Sequence, residues 1–284
     1  MFSDVLLTVD FDRTLTGPDS TIPERNLEAI RFFTANGGAF TMNTGRSTNT
    51  FRQYLHTLPV NAPFLLYNGS AWYENGALVN CKTIDLDLWQ TLDQMVKLFP
   101  DMNLEVQGVD THYHIHVDSQ YADFYRNVGW EFAVPQHGAD LGPFVKFALF
   151  GKTRDNTVGD LFVGTKEELA RFDEAEACIR VLYPGKVEVY RAAPRIIDVH
   201  ATGVSKLRAA RELQERLGKK ILVCVGDAEN DLTMLRGADY AFCPSDAVVA
   251  KEFENVCPCG EGAVADVIYK KIPEILGLNL DNRT

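Results

Sequence analysis

Two carboxylates stand two residues apart near the start of the chain. Val5-Leu6-Leu7-Thr8-Val9 is an apolar run that delivers Asp10-Phe11-Asp12-Arg13-Thr14-Leu15. In a strand, residues i and i+2 point to the same side, so Asp10 and Asp12 can face one small volume. Two like charges at ~4 Å repel by about 1 kcal/mol in water and about 4 kcal/mol at an effective dielectric of 20. Such a pair is tolerated where a proton is shared, a cation is bound or the site is wet. Standing alone, it is also an ordinary strand-end turn. Other polar residues end apolar runs farther along. They are Thr44-Gly45-Arg46, Asn68-Gly69 and Gly226-Asp227-Ala228-Glu229-Asn230-Asp231, with Lys206 where a helix would begin.

The elements that must position these residues follow from the pattern between them. The run at 5–9 reads as a strand buried on both faces of a parallel sheet. Leu27, Ile30 and Phe33 recur at helical spacing behind Pro23, and Gly37-Gly38 closes that helix. Ala39-Phe40-Thr41-Met42-Asn43 is a second strand, a helical segment passes through Phe51, Tyr54 and Leu55, and Phe64-Leu65-Leu66-Tyr67 is a third strand. The order β-α-β-α-β predicts a parallel sheet with right-handed crossovers. All the polar strand ends then lie on one edge, where open α/β sheets bind ligands. The same pattern resumes late in the chain. Ile196-Ile197-Asp198-Val199 reads as a short strand. Thr202-Gly203-Val204-Ser205-Lys206 leads into a helix with Leu207, Ala210, Leu213 and Leu217 on one face, and Gly218 closes it. Ile221-Leu222-Val223-Cys224-Val225 is a strand like the first, and Tyr240-Ala241-Phe242 reads as the last core strand.

Between these blocks the texture changes. Glu74-Asn75-Gly76 is a hairpin turn signal. Leu88, Leu92, Met95 and Phe99 make a helical stripe. Leu104-Glu105-Val106 and Tyr113 to Val117 read as half-exposed strands, and 145–150 and 187–190 as further strands. Thr165 N-caps a helix reaching Leu182, with Glu168 in the capping-box place. The expectation is an α+β domain over 82–190, inserted into a core made of 1–81 and 191–284.

Taken in order, Asp10-x-Asp12-x-Thr14-Leu15, Thr44-Gly45-Arg46, Gly203-Val204-Ser205-Lys206 and Gly226-Asp227-x-x-Asn230-Asp231-x-x-Met234-Leu235 resemble the haloacid dehalogenase superfamily, in particular its Cof-type phosphatases. Asn68-Gly69 and Glu261-Gly262-Ala263-Val264 fit the same branch. The resemblance implies an α/β, Rossmann-like core with an inserted α+β cap that selects the substrate. It implies hydrolysis of a small phosphorylated metabolite, a sugar phosphate being one candidate, through an aspartyl-phosphate and with Mg²⁺. A phosphotransferase, a sugar-phosphate mutase or a low-turnover phosphometabolite-binding module remains the alternative. Carried onto this chain, Asp10 is the nucleophile and Asp12 the acid and base. Thr44 and Lys206 act on the phosphate and complete the catalytic set. Gly45, Arg46, Asn68 and Asn230 join the phosphate or substrate contacts. Asp10, Asp12 (through its backbone carbonyl) and Asp227 are metal ligands, and Asp231 orients Lys206.

Each of these residues also has a plainer reading. Lys206 fits a solvated charge near a helix start, and Thr44 fits a cap. Asp227 and Asp231 fit an acidic loop, although EF-hand spacing is absent. Arg46 and Asn68 either touch substrate or brace their loops. One position departs from the family pattern: Arg13 stands where Gly is usual. His112, His114 and His116 share one face of a presumed strand, which suits a metal or an anion but fits an exposed sheet face better.

Bulk composition narrows the classes. With 28 basic against 39 acidic residues the net charge is −11, which disfavours nucleic acid and anionic membranes in general. The start lacks the pattern of a signal peptide, and no apolar run approaches the ~20 residues of a membrane span. Six scattered cysteines suit reduced thiols and a cytoplasmic setting, and Cys257-Pro258-Cys259 has no second pair to complete a zinc site. Oligomeric state is not readable from these features.

Overall fold

In the computed structural model, β1 (Val5–Val9) is buried at every position, as its unbroken apolar run requires. The structure describes residues 1–109, 111–152, 161 and 163–278. They divide into two compact units. One comprises Met1–Gly45, Gln53–Ala77 and the chain from Ser205 on; the other comprises Arg46–Arg52 and Leu78–Val204.

In the first unit, β1 is followed by α1 (Glu24–Ala35), β2 (Ala39–Met42), β3 (Phe64–Leu66) and β4 (Ala71–Glu74). In the second unit, a short helix α2 (Thr48–Phe51) is closed at its start by a capping box between Ser47 and Thr50. Strand β5 (Ala77–Val79) spans the joint between the units. The second unit continues with α3 (Leu88–Leu98), β6 (Asn103–Gly108), β7 (His112–His116), α4 (Ser119–Val128), β8 (Phe144–Phe150), α5 (Lys166–Leu182), β9 (Val187–Ala193) and β10 (Ile196–Ala201). The first unit then resumes with α6 (Lys206–Arg216), β11 (Ile221–Val225), α7 (Leu232–Arg236), β12 (Tyr240–Pro244), β13 (Glu254–Val256), α8 (Ala263–Asp266) and α9 (Ile272–Ile275).

The first unit is built on a parallel sheet in the order β13-β12-β11-β1-β2. The register sets Val9 beside both Val225 and Met42, so three neighbouring strands end level with one another. On one face Leu6, Leu222 and Cys224 pack against Ala209, Ala210, Leu213, Met234 and Leu235 of α6 and α7. Full burial of the leucines and the methionine contributes roughly 1.5–3 kcal/mol each, which makes the sheet a rigid mount for whatever its strand ends carry. The third strand joins less regularly than expected. β3 pairs antiparallel with β4 and touches the parallel sheet through a bridge between Asn43 and Leu65. Tyr240–Pro244 is not the last core strand, because Glu254–Val256 pairs beyond it. That edge strand is three residues long and mostly exposed, so it lacks the apolar run that marks a strand in sequence.

The second unit is an antiparallel sheet in the order β7-β6-β8-β10-β9. Leu104, Val106, Phe147, Leu149, Ile197 and Val199 face Leu92 and Met95 of α3 and Phe172, Ala175 and Ile179 of α5. The alternate residues Ala148 and Phe150 face Tyr121 and Tyr125 of α4. Two expectations change here. Ile196–Ala201 pairs with β8 and β9, so the strand expected to resume the core belongs to this sheet instead, and the compact unit runs to Val204 rather than to 190. Its period-two pattern suits either sheet, and the turn at Pro194-Arg195 decides by folding it back on β9. β6 is not half-exposed: all six of its residues are buried, because helices cover both faces.

Candidate active site

Asp10 and Thr44 sit just past strands of the first unit, and Lys206 sits where one of its helices begins. Asp10 follows β1 and donates its backbone N–H to the Val225 carbonyl at 2.9 Å. The chain then makes one wide turn over Phe11–Leu15, within which Asp12 is extended and Arg13 is left-handed at φ 59°, ψ 14°. An L-residue there costs about 1–2 kcal/mol. The turn is tied by the Arg13 N–H donating to Thr16 Oγ1 at 3.1 Å. Ser205 caps α6 by accepting from the Arg208 N–H, which makes Lys206 the first helical residue.

Lys206 is 1% exposed, and its Nζ donates to Asp10 Oδ1 at 2.6 Å and to Asp231 Oδ1 at 2.7 Å. The other oxygen of Asp231 accepts the backbone N–H groups of Asp227 and Ala228 at 3.0 and 3.2 Å. Asp231 therefore fixes both the lysine and the loop that carries Asp227. Glycine at 226 is needed for this approach, since a Cβ there would stand 2.6 Å from Asp231 Cγ. Thr14 donates its hydroxyl to Asp227 Oδ1 at 3.1 Å.

The charges in this cluster do not balance. Asp10, Asp227 and Asp231 offer carboxylate oxygens within 4.8 Å of one another, against the single ammonium of Lys206. Burial pushes Asp10 up to about 7; Lys206 pulls it down, while Asp231 and Asp12 add repulsion. Burial and the charges of Asp10 and Asp231 likewise raise Asp227 well above the usual carboxylate range. Lys206 is held charged: burial opposes this, but Asp10 and Asp231 outweigh it. Hard oxygen donors carrying surplus negative charge suit a divalent cation. Asp231 spends both its oxygens on protein donors, whereas the bonds above engage one oxygen each of Asp10 and Asp227. These two fit the cation best.

The other expected residues are distributed as follows. Thr44 is buried just past β2, where its N–H donates to the Leu65 carbonyl and its carbonyl accepts from Asn68. Asn68, at φ 55°, sets Oδ1 only 3.1 Å from where a Cβ would stand on Gly45, so a side chain at 45 would crowd the amide. Asn230 is half-buried in the turn between Asp227 and Asp231. Arg46 falls in the second unit, where its Nη1 donates to the Thr50 carbonyl at 3.3 Å. Two residues gain roles that sequence had not assigned them. Thr14 was visible only as a motif letter. Asn43, whose Nδ2 donates to the Lys206 carbonyl at 2.9 Å, had no signal beyond being polar at a strand end.

The expected histidine face also differs. His112 and His114 are buried rather than exposed, with Glu105 between them. Tyr125 and Gln107 donate to Glu105 at 2.7 and 2.5 Å, His112 lies 3.3 Å from the Tyr125 hydroxyl, and His114 stacks on Phe132. The third histidine, His116, lies apart, near the Pro100 carbonyl. Among the described residues, only Asp10, Asp227 and Asp231 group tightly enough for a shared metal.

The comparisons with known proteins agree with this geometry. The profile of haloacid dehalogenase-like hydrolases matches residues 7–250. The 5-amino-6-(5-phospho-D-ribitylamino)uracil phosphatase of Bacillus subtilis is 25% identical over 236 residues, covering 82% of this chain and 80% of that protein. A haloacid dehalogenase-like hydrolase from Bacteroides thetaiotaomicron superposes with a TM-score of 0.75 at 18% identity, over 94% of this chain and 98% of that one. A sugar phosphatase of haloacid dehalogenase subclass IIB superposes with a TM-score of 0.74 at 18% identity, over 96% and 98%. The strand-end acids, the buried lysine and a match across most of the length lead to one assignment: this chain belongs to the haloacid dehalogenase-like hydrolase family.

Proposed function

We propose that the chain is a Mg²⁺-dependent phosphatase that hydrolyses a small phosphorylated metabolite, such as a sugar phosphate, through an aspartyl-phosphate on Asp10. The observation that carries this reading is Lys206, buried and held between Asp10 and Asp231, with Asp227 alongside. Asp10 and Asp227, with the backbone carbonyl at Asp12, would hold the cation, which when bound neutralises phosphate charge that would otherwise repel the attacking carboxylate.

Asp10 forms the new P–O bond as the substrate's P–O ester bond breaks, and Asp12 gives its proton to the departing alcohol. Asp12 then takes a proton from water, which attacks phosphorus and frees Asp10 and inorganic phosphate. Lys206 pulls Asp10 toward its ionised form and orients it, and its charge faces the incoming phosphate. Thr44 offers a hydroxyl donor to a phosphate oxygen, with Gly45, Asn68 and Asn230 completing the polar rim. The second unit, which includes the expected inserted segment 82–190, supplies substrate selection.

The test is phosphate release from a panel of phosphorylated metabolites with and without Mg²⁺, beside Asp10→Asn. Loss of the nucleophile should lower turnover by about a thousandfold or more. Equal turnover in that variant would remove Asp10 from the role.

A further inference from the structure

We propose that Arg13 is a specificity-determining contact for a second anionic group on the substrate, so that the preferred substrates are phosphorylated acids or bisphosphates. This rests on the phosphatase reading above.

Arg13 lies between Asp12 and Thr14, the residue that holds Asp227. Its left-handed backbone is the conformation glycine adopts freely and other residues pay for. Strain of this kind persists where something else rewards it. Nothing among the described residues does so through the guanidinium. The side chain is exposed, and among the described residues its polar contact is made by its backbone N–H. Every other described arginine is engaged. Arg46 donates to a backbone carbonyl. Arg25, Arg31, Arg52, Arg126, Arg171 and Arg180 pair with carboxylates. The later ones do the same, from 191 through 236. In a chain with 39 acids against 28 bases, an arginine without a carboxylate is conspicuous. The charge of Arg13 is felt at the Cys259 thiol, but the acid on that side, Asp246, is already taken by the Cys259 N–H and Sγ at 2.9 and 3.2 Å.

The electrostatics supply the reason. The reacting phosphate meets Lys206, whose charge is shared among acids that outnumber it. With the cation bound, its charge and that of Lys206 are met by the three carboxylates, so a second anion on the substrate finds no positive charge left over among these groups. A free guanidinium one residue from the proton-transfer aspartate offsets that, and its planar fork takes a carboxylate or phosphate through two parallel hydrogen bonds.

Matched pairs test this. Phosphoglycerate differs from glycerol phosphate by one carboxylate, and fructose bisphosphate differs from fructose phosphate by one phosphate. The native protein should favour the doubly anionic member of at least one pair by about tenfold in kcat/KM, equivalent to about 1.4 kcal/mol. Preference within one pair alone names the anion as carboxylate or phosphate. Arg13→Gly, which relieves the backbone, and Arg13→Gln should bring the ratio close to one, and Arg13→Lys should keep part of it. Calorimetric titration of Asp10→Asn with the same four compounds, with and without Arg13→Gly, reads the same ratio with no turnover. A ratio indifferent to Arg13 in both measurements overturns the proposal. Asp10-dependent phosphate release from glycerol phosphate or fructose phosphate would leave the phosphatase reading standing in that case. Absence of release from all four would count against the phosphatase reading alone, since the titration still decides the role of Arg13.

Discussion

The two units each bury a cluster of ionisable side chains, and the clusters are built on opposite plans. In the first unit Asp10, Asp227 and Asp231 share one ammonium at the ends of adjacent parallel strands. The acids outnumber the base, and burial raises Asp10 to about 7 and Asp227 well above the usual carboxylate range. In the second unit Glu105, Gln107, His112 and His114 sit within an antiparallel sheet, with Tyr125 donating from α4. Beside them Lys146 and Asp198 pair one to one at 2.9 Å, next to a neutral His200. Burial penalises the charge on Glu105, yet the His114 ring, the charge of His112 and hydrogen bonds from Gln107 and Tyr125 hold it down at about 2. The difference teaches how to read buried charge. Where donors ring a single carboxylate, as at Glu105, the cluster knits a sheet to its covering helix. Where three carboxylates crowd one lysine at strand ends, the protein holds a site suited to a cation.

The largest break in that contrast should come from Lys206→Met. Removing the cation that Asp10 and Asp231 share should cut phosphate release by about a thousandfold, roughly 4 kcal/mol of transition-state stabilisation. Turnover within a few-fold of native would show that the surplus acids do not need it. Acid titration should weaken the second cluster next. The unfolded chain protonates His112 near 6.5, but burial and the charge of Lys146 hold the folded group down at about 4, against the pull of Glu105. Between those values the unfolded state binds more protons, so folding stability falls as pH drops from 6.5 toward 4, by on the order of 2–3 kcal/mol. Denaturant unfolding at stepped pH measures this, and His112→Gln should flatten the slope. A native slope preserved in the variant would move the effect to other groups. The smallest expected effect is the response of the first cluster to metal. Mg²⁺ at about ten times its dissociation constant should add about 1.4 kcal/mol of stability, read as a rise in Tm that Asp227→Asn abolishes. A second unit that responded equally to Mg²⁺ would erase the contrast.

Much of the first cluster was legible before any coordinates. Asp10, Asp12, Thr44, Lys206, Asp227 and Asp231 each lie within a few residues of an apolar run or a helix start, so local pattern places them at element ends. Parallel order then puts those ends on one edge. Thr14 and Asn43 were not legible as partners, because a hydroxyl or amide declares its acceptor only in three dimensions. The second cluster was misread for the opposite reason. The alternation at 112–116 says that His112 and His114 share a face. It does not say that α4 covers that face. The strand at 196–201 carries a period that suits two different sheets, and only its pairing with β8 and β9 chose between them.

By itself, the sequence determined which residues could do chemistry and which end of each strand would carry them, because periodicity and turn chemistry are local. Tertiary structure alone decided that Asp231 spends both oxygens on Lys206 and the Asp227 loop, that His112 and His114 are interior, and that Arg13 has no carboxylate partner among the described residues. Asp231 reaches Lys206 across 25 positions and Tyr125 reaches Glu105 across 20, and local pattern does not encode contacts at such separations.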